Sequence, residues 1–251
     1  MILNQAWILI VSIMGCMGDF TPVPDLEPRE GYTVVPVAQG LNGTRTILFD
    51  RSNGDLITIA RGLQQIVAIW ETSTFSGEFQ KSVIVDASKA LLNLTHGLAI
   101  RGKYLYASSD VNLWRWPYQS GARSPIDVGS RELVVTNMGA GGKGGAPQGH
   151  TTRSFVFGPD GYLYIGISSL NNVDENSERS RVRRVYFPND TLPASEGVDF
   201  EKAQVWADGL RNPLGLDFDT QGQLWEMDNG PDDLIREDLG WVDQDAPFSR
   251  E

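Results

Sequence analysis

The sequence has little of what many binding sites and small scaffolds need: its 251 residues include one cysteine and two histidines. Cys16 lies in an N-terminal segment that we expect to be cleaved off, so the mature protein would have no disulfide bond and would depend on packing alone. Because the only histidines are His96 and His150, a histidine-rich zinc site is excluded. The Gly-x-Ser-x-Gly elbow of serine hydrolases is also absent from the sequence.

Positive charge is scarce as well. The chain has 21 Lys and Arg against 32 Asp and Glu, a formal net charge of -11. This balance argues against nucleic acids and membrane surfaces as partners. Four arginines cluster within residues 179 to 184. Their alternation with Ser180 and Val182 predicts a solvated edge strand rather than a binding patch.

One apolar stretch, residues 6 to 15, stands near the N-terminus. It is too short to span a membrane but has the length of the apolar part of a secretory signal peptide. We therefore predict a signal peptide over residues 1–19 and a Pro-rich linker over residues 20–34. Three N-glycosylation acceptors support a secreted, extracellular protein, and Asn189 is the best candidate for modification. The acceptors are Asn42, Asn93 and Asn189.

The chain shows no convincing amphipathic helix, but a strand-turn-strand unit rich in aromatic and β-branched residues occurs four times. Its turn glycines are separated by 48, 59 and 61 residues, which suits four-stranded propeller blades. These glycines are Gly54, Gly102, Gly161 and Gly222. A third strand is predicted after each pair, over residues 66–70, 113–118, 182–187 and 234–238. A β-sandwich is the alternative, but it does not require four copies of one unit.

We therefore predict an all-β fold with a β-propeller domain over residues 35–251. Six blades of this size need roughly 300 or more residues. We accordingly expect the chain to hold about four blades and to be incomplete at its C-terminus. A genuine four-bladed ring is the alternative.

Blade geometry predicts which loops meet. The second strand of a blade returns to the face where the first strand began, so the two sets of loops should share one rim. The loops before the first strands carry Asn42, Asn93, His150 and Arg211. The loops after the second strands carry Arg61, Asp110, Ser168 and residues 229–231.

Two signals near this rim concern His150 and His96. Residues 139–149 are rich in glycine, and residues 139–144 within them formally match a dinucleotide fingerprint, but that motif must lead into a helix, whereas here a strand follows. We interpret the segment as a mobile loop that delivers His150, whose side chain can take a proton near neutral pH. His96, three positions deeper in its repeat, is interpreted as a hydrogen-bonded rim or core residue. Arg61 and Arg211 could bind a polyanionic ligand, or they could brace neighbouring blades.

An ordered series of segments resembles the soluble pyrroloquinoline-quinone-dependent sugar dehydrogenases, especially the fungal pyranose dehydrogenases and the L-sorbosone dehydrogenases. The series covers roughly residues 35 to 240. Its segments are residues 95–100 (THGLAI), 105–109 (LYASS), 114–118 (WRWPY), 149–153 (GHTTR), 172–174 (NVD), 181–184 (RVRR), 207–216 (ADGLRNPLGL) and 238–240 (DLG).

The resemblance implies a six-bladed β-propeller that holds the quinone and a calcium ion on one rim. His150 matches the general base that takes the proton of the sugar's anomeric hydroxyl. Arg211 and Asn212 match cofactor contacts, and Arg61 is similar to a further one. The carbonyls of Gly230 and Pro231 match the calcium ligands. Electrons would pass from a pyranose or other aldose to an external acceptor such as a cytochrome.

The resemblance leaves the partner of His150 open. Bacterial relatives pair this histidine with an aspartate after the second strand, where the present chain has Ser168, and Asp174 is a candidate to replace that aspartate. Two other functions also stay open. A calcium-dependent propeller lactone hydrolase would bring Glu, Asn and Asp side chains into the channel, and a secreted propeller could serve binding without catalysis.

Overall fold

The computed structural model describes residues 8–10, 34–74, 76–139, 149–176, 178–192 and 196–230. Within these ranges the secondary structure is almost entirely β. The strands are β1 (Ile8–Ile10), β2 (Val34–Pro36), β3 (Thr44–Phe49), β4 (Leu56–Ala60), β5 (Gln65–Glu71), β6 (Phe79–Asp86), β7 (Leu94–Arg101), β8 (Tyr104–Ser109), β9 (Leu113–Pro117), β10 (Glu132–Thr136), β11 (Phe155–Phe157), β12 (Tyr162–Ile167), β13 (Arg181–Tyr186), β14 (Val198–Asp199), β15 (Gln204–Asp208), β16 (Pro213–Phe218) and β17 (Leu224–Asp228). Short 3-10 helices lie at Arg61–Leu63, Val128–Ser130, Pro188–Asp190 and Phe200–Lys202.

Three four-stranded antiparallel units follow one another along the chain. Their strand orders are β3-β4-β5-β6, β7-β8-β9-β10 and β11-β12-β13-β15, and β14 adds in parallel to the edge of the second. The hairpin β16-β17 begins a fourth. Each predicted turn glycine joins a first strand to a second with a positive φ, from 55° at Gly102 to 83° at Gly161, which glycine adopts without strain. The repeat is therefore confirmed, although the strand predicted over residues 234–238 lies outside the described residues.

The sheets stack face to face around apolar cores, as propeller blades do. Ile57 and Ile66 of the first sheet pack with Leu105 and Trp116 of the second in one buried cluster. A second cluster joins Tyr106 and other residues of the second sheet to the third sheet. Each such fully buried side chain stabilises the fold by about 1.5–3 kcal/mol. The prediction of an all-β propeller is confirmed.

Asp50, in the turn of the first sheet, also locks the first two sheets together. Its buried carboxylate accepts hydrogen bonds from Ser52 Oγ at 2.7 Å, Tyr118 OH at 2.9 Å and Gly121 N at 2.6 Å, and another from Ser120. Burial alone raises the pKa of Asp50, but these hydrogen bonds outweigh it and hold the pKa well below its usual range. The first turn is thus fixed to the loop after β9.

The arginine-rich segment corrects the sequence-based prediction of a solvated edge strand. β13 pairs with β12 on one side and β15 on the other, so it is an interior strand. Arg181 and Arg183 are buried, and both reach one oxygen of Glu178, at 3.2 and 2.5 Å. The prediction was wrong because the alternation of the arginines does not indicate that β15 pairs beside them or that the carboxylate of Glu178 lies nearby.

The predicted signal peptide and linker lie outside the described residues, apart from Ile8–Ile10 and Val34. Ile8–Ile10 pairs in parallel with Val34–Pro36. Most of the glycine-rich segment, residues 140–148, also lies outside the described residues. Where the chain is described, no helix is long and apolar enough to cross a membrane.

Candidate functional site

The loops predicted to share a rim do meet. Gly62 N donates to Asn42 O at 3.0 Å within the first sheet, and Gln64 Nε2 donates to Leu94 O at 3.3 Å towards the second. Further along, Ser169 N donates to Arg211 O at 2.8 Å and so joins the third sheet to the fourth hairpin. Between the second and third sheets, Arg153 Nε donates to Asp110 O at 2.7 Å. Hydrogen bonds therefore connect each repeat to the next.

His150 lies in the middle of this rim and is half-buried. Its Nδ1 is 2.8 Å from Ser169 Oγ and 3.2 Å from Ser169 O. Its backbone N also donates to Ser169 O, at 3.3 Å. Three contacts to one buried residue therefore fix both the ring and the backbone of the histidine.

The residue before His150 must be a glycine for the backbone to come this close to the loop after β12. A Cβ built on Gly149 would stand 1.9 Å from Leu170 O, which is backbone and cannot give way easily. Gly149 therefore allows the chain before His150 to run directly against the loop after β12.

Arg153 fixes the segment of His150 from the interior of the protein. Its side chain is 1% exposed, and its guanidinium donates to four backbone carbonyls: Asp110 at 2.7 Å, Met138 at 3.1 Å, His150 at 3.2 Å and Thr152 at 2.7 Å. Burial lowers the pKa of Arg153 to about 10, so the guanidinium stays charged at neutral pH. The buried cation thus fixes the carbonyl of His150 to the second sheet.

The two residues considered as partners of His150 have other contacts. Ser168 is buried and its Oγ donates to Thr152 O at 3.3 Å. Asp174 is bound by the side chain of Arg179 and by Leu170 N at 2.6 Å. Ser169, one position along from the aligned serine, is the residue that contacts the ring. The resemblance pointed to Ser168 instead, because a shift of one residue in register changes which side chain faces the histidine.

A cavity of about 430 Å³ opens on the rim beside the first and second sheets. Arg45 and Arg61 line it together with Asn42, Asp110 and Thr151, the residue after His150. Two guanidinium groups in one cavity suit a ligand with several carboxylates. The sequence predicted Arg61 here but missed Arg45, whose position at the start of the first repeat was the available signal.

His96 lies near this cavity with its Nδ1 buried, and no described residue hydrogen-bonds to that atom. Burial lowers the pKa of His96 to about 4, and the charges of Arg45, Arg61 and Arg153 add to the effect. His96 is therefore uncharged near neutral pH. The predicted hydrogen-bonded role is not found at Nδ1.

A second cavity, of about 270 Å³, adjoins the third sheet and the fourth hairpin. Its polar lining includes Ser169, Asn172, Asp174 and Arg211. The structure thus places Arg61 and Arg211 in different cavities. The segment of His150 and Thr151 lies between them, since Thr151 lines the first cavity and Ser169, the contact of His150, lines the second.

Arg211 and Asn212 are buried at the mouth of the fourth hairpin. Their backbone N atoms donate to the two oxygens of Asp228, at 3.0 and 2.6 Å, and Arg211 Nη1 donates to Asn229 O at 2.9 Å. The side-chain Oδ1 of Asn212 is buried without a partner among the described residues. Burial, and then the charge of Asp228, raise the pKa of Glu226 to about 7. The sequence did not single out Glu226.

The predicted metal ligands are only partly described. Gly230 is exposed at the end of the described chain, and Pro231 lies outside it. No group of three or more His, Cys, Asp or Glu that could hold a metal ion occurs among the described residues. The predicted calcium site consists of backbone carbonyls and so differs from such a group of side chains. Its ligands, Gly230 and Pro231, stay a prediction.

The fold is a β-propeller, with four-stranded sheets stacked around buried cores. Its candidate site is built from loops that bring a histidine and arginines to one rim. A sequence profile described as TrAA12-like matches residues 26–249. The chain belongs to this TrAA12-like family.

Curated relatives agree with this assignment. A pyrroloquinoline quinone-dependent sugar dehydrogenase of Hypocrea jecorina is 28% identical over an alignment of 231 residues that covers 87% of this chain and 50% of the relative. A pyrroloquinoline quinone-dependent pyranose dehydrogenase of Coprinopsis cinerea is 25% identical over 239 residues, 90% of this chain and 30% of the relative. The chain thus spans half or less of the length of these relatives.

Solved structures show the same fold. The calcium structure of a Trichoderma reesei enzyme of carbohydrate-active family AA12 has a TM-score of 0.66 at 25% identity, covering 84% of this chain and 51% of that one. The holo form of the pyranose dehydrogenase PQQ domain of Coprinopsis cinerea has a TM-score of 0.63 at 24% identity, covering 78% and 46%.

Proposed function

We propose that the intact protein is a quinoprotein oxidoreductase that oxidises a pyranose or other aldose at its anomeric hydroxyl. The observation that carries the proposal is the position of His150: a half-buried imidazole, held through Nδ1, between an arginine-lined cavity and a polar one. Membership of a family with quinone-dependent sugar dehydrogenases among its relatives supports it.

The residues present fit the quinone. Pyrroloquinoline quinone carries three carboxylates, which need cations for binding, and Arg45 and Arg61 supply two in one cavity of sufficient size. Arg211, which lines the second cavity, and Asn212 would contact a quinone that extends past the segment of His150 and Thr151 to the fourth hairpin, where the buried Oδ1 of Asn212 has no partner among the described residues. When bound, the quinone supplies the two-electron acceptor.

The chain itself would orient the sugar and take its proton. His150 accepts the proton of the anomeric hydroxyl at Nε2, because its Nδ1 faces Ser169. Asn172 and Asp174 of the second cavity offer amide and carboxylate groups for sugar hydroxyls. The carbonyls of Gly230 and Pro231 would bind calcium, a hard cation that prefers oxygen ligands.

The proposed location is extracellular, and the apolar N-terminal segment supports it. Removal of residues 1–19 would release a secreted propeller domain beginning near residue 35, with the Pro-rich linker before it. Asn189, which is exposed, would carry a glycan. An external acceptor such as a cytochrome would take the electrons after each turnover.

The test is sugar oxidation by the intact protein with added quinone and calcium, measured by dye reduction with several aldoses. We expect turnover, and a loss of about 10²–10⁴-fold in kcat for His150→Gln, the range of a general base. His96→Gln is the matched control because it removes the other histidine of the 251 residues, which does not contact His150, and it should keep most of the activity. Turnover unaffected by His150→Gln would contradict the proposal. Lactone hydrolysis with calcium alone would replace it with the hydrolase function.

A further inference from the structure

Ser169 contacts the imidazole of His150 in a way that decides the position of its proton. The two hydrogen bonds that the ring makes with described residues both involve Nδ1, which lies 2.8 Å from Ser169 Oγ and 3.2 Å from Ser169 O. A neutral imidazole carries its proton on one nitrogen, and hydrogen bonding decides which one.

The carbonyl gives the first constraint. A carbonyl oxygen can only accept, so the contact between Nδ1 and Ser169 O requires a proton on Nδ1.

The hydroxyl gives the second constraint. Ser169 Oγ donates its single proton to Asn171 O at 2.6 Å, and this acceptor is again a carbonyl. With its proton already used, Oγ can meet Nδ1 only as an acceptor. Both atoms of Ser169 therefore demand the same tautomer, with the proton on Nδ1 and the lone pair on Nε2.

We infer that Ser169 is a positioning residue that holds His150 in the Nδ1-H tautomer and leaves Nε2 as the proton acceptor. This inference rests on the proposed function in assigning His150 the role of base. Free histidine prefers the opposite tautomer, with its proton on Nε2. Ser169 thus does with a neutral hydroxyl and a carbonyl what a carboxylate does for the histidine of a catalytic triad.

The position of Ser169 suits this role. Its side chain is 2% exposed, so water does not compete for the hydrogen bonds. Its backbone N donates to Arg211 O at 2.8 Å. The residue that sets the tautomer of His150 is thus also attached to the loop of Arg211, a candidate cofactor contact.

The test combines nuclear magnetic resonance with kinetics on the intact protein. Histidine-selective ¹⁵N labelling reports every imidazole of the intact protein, and His150→Gln and His96→Gln assign the two of interest by the signals that each removes. In the wild type we expect His150 to show a protonated Nδ1 and an unprotonated Nε2, without any added quinone or sugar. Ser169→Ala should move the ring towards the Nε2-H form and lower kcat about 10-fold with little change in KM. The loss stays well below the roughly 10⁴-fold of a triad with the wrong tautomer because the carbonyl of residue 169 remains.

Two variants control for structure. Ser169→Thr keeps the hydroxyl and should restore the wild-type tautomer and rate. Ser168→Ala removes the adjacent buried hydroxyl, which does not contact His150, and should leave the tautomer unchanged. A wild-type His150 with its proton on Nε2, or a tautomer that Ser169→Ala does not move, would overturn the inference. If the intact protein shows the expected tautomers but oxidises no sugar, the role of Ser169 in orienting the ring would stand and only the proposed function would be overturned.

Discussion

Replacement of Arg153 by methionine should destabilise the protein more than any surface change, because one buried cation holds four backbone carbonyls. Hydrogen bonds to a charged group contribute about 1.5–3 kcal/mol each, which gives about 6–12 kcal/mol for four. Burial of the guanidinium costs several kcal/mol and offsets much of this. The expected net loss for Arg153→Met is about 3–5 kcal/mol, similar to the removal of one partner from a buried ion pair.

Thermal unfolding of the intact protein measures this loss. A change of 1 kcal/mol shifts the Tm by about 2–4 °C in a domain of this size, so Arg153→Met should lower the Tm by roughly 6–20 °C. Arg131→Met is the matched control, because Arg131 donates to one backbone carbonyl, Val128 O at 3.1 Å. It should cost about 1 kcal/mol. Equal losses in the two variants would refute the view that Arg153 anchors the rim.

Three further predictions concern Asp50, His96 and Gly149. The pKa of Asp50 in the folded protein lies below its usual range, so its carboxylate contributes its full stabilisation above the unfolded pKa near 4 and loses it as the pH falls further. Asp50→Asn should therefore flatten the acid limb of a Tm–pH curve. An unchanged acid limb would contradict this. His96 should titrate near pH 4 when followed by the resonance of its imidazole, and a midpoint above 6 would show that it is not desolvated. Gly149→Ala should displace His150 from Ser169 and lower kcat as Ser169→Ala does, because of the clash with Leu170 O, whereas wild-type kinetics would disprove the close approach.

The repeat and its rim could be predicted from the sequence because both depend on local signals. Turn glycines such as Gly102 need a positive φ, and alternating apolar residues fix the strands on either side. Once the strand order is known, blade geometry brings Asn42 and Arg61 to one face, as the cavity that they share confirms.

Features that depend on long-range packing could not be predicted in this way. The arginines of β13 have the alternation of a solvated strand, and only the pairing of β13 with β15 and their burial beside Glu178 distinguish them. The contact of Ser169 with His150 depends on how one loop turns after β12, a matter of one residue in register. Arg153 belongs to the resembling segment 149–153, but its anchoring role could not be predicted, because its partners are backbone carbonyls.

The central claim is that this rim binds a quinone with several carboxylates, and an equilibrium titration of the intact protein with pyrroloquinoline quinone and calcium tests it most directly. The absorbance of the quinone reports binding without turnover. We predict saturable binding of one quinone per chain, weakened at least about 10-fold, or 1.4 kcal/mol, in Arg45→Met and in Arg61→Met, and unchanged in Arg131→Met. Absence of binding, or equal affinity in all three variants, would contradict the account.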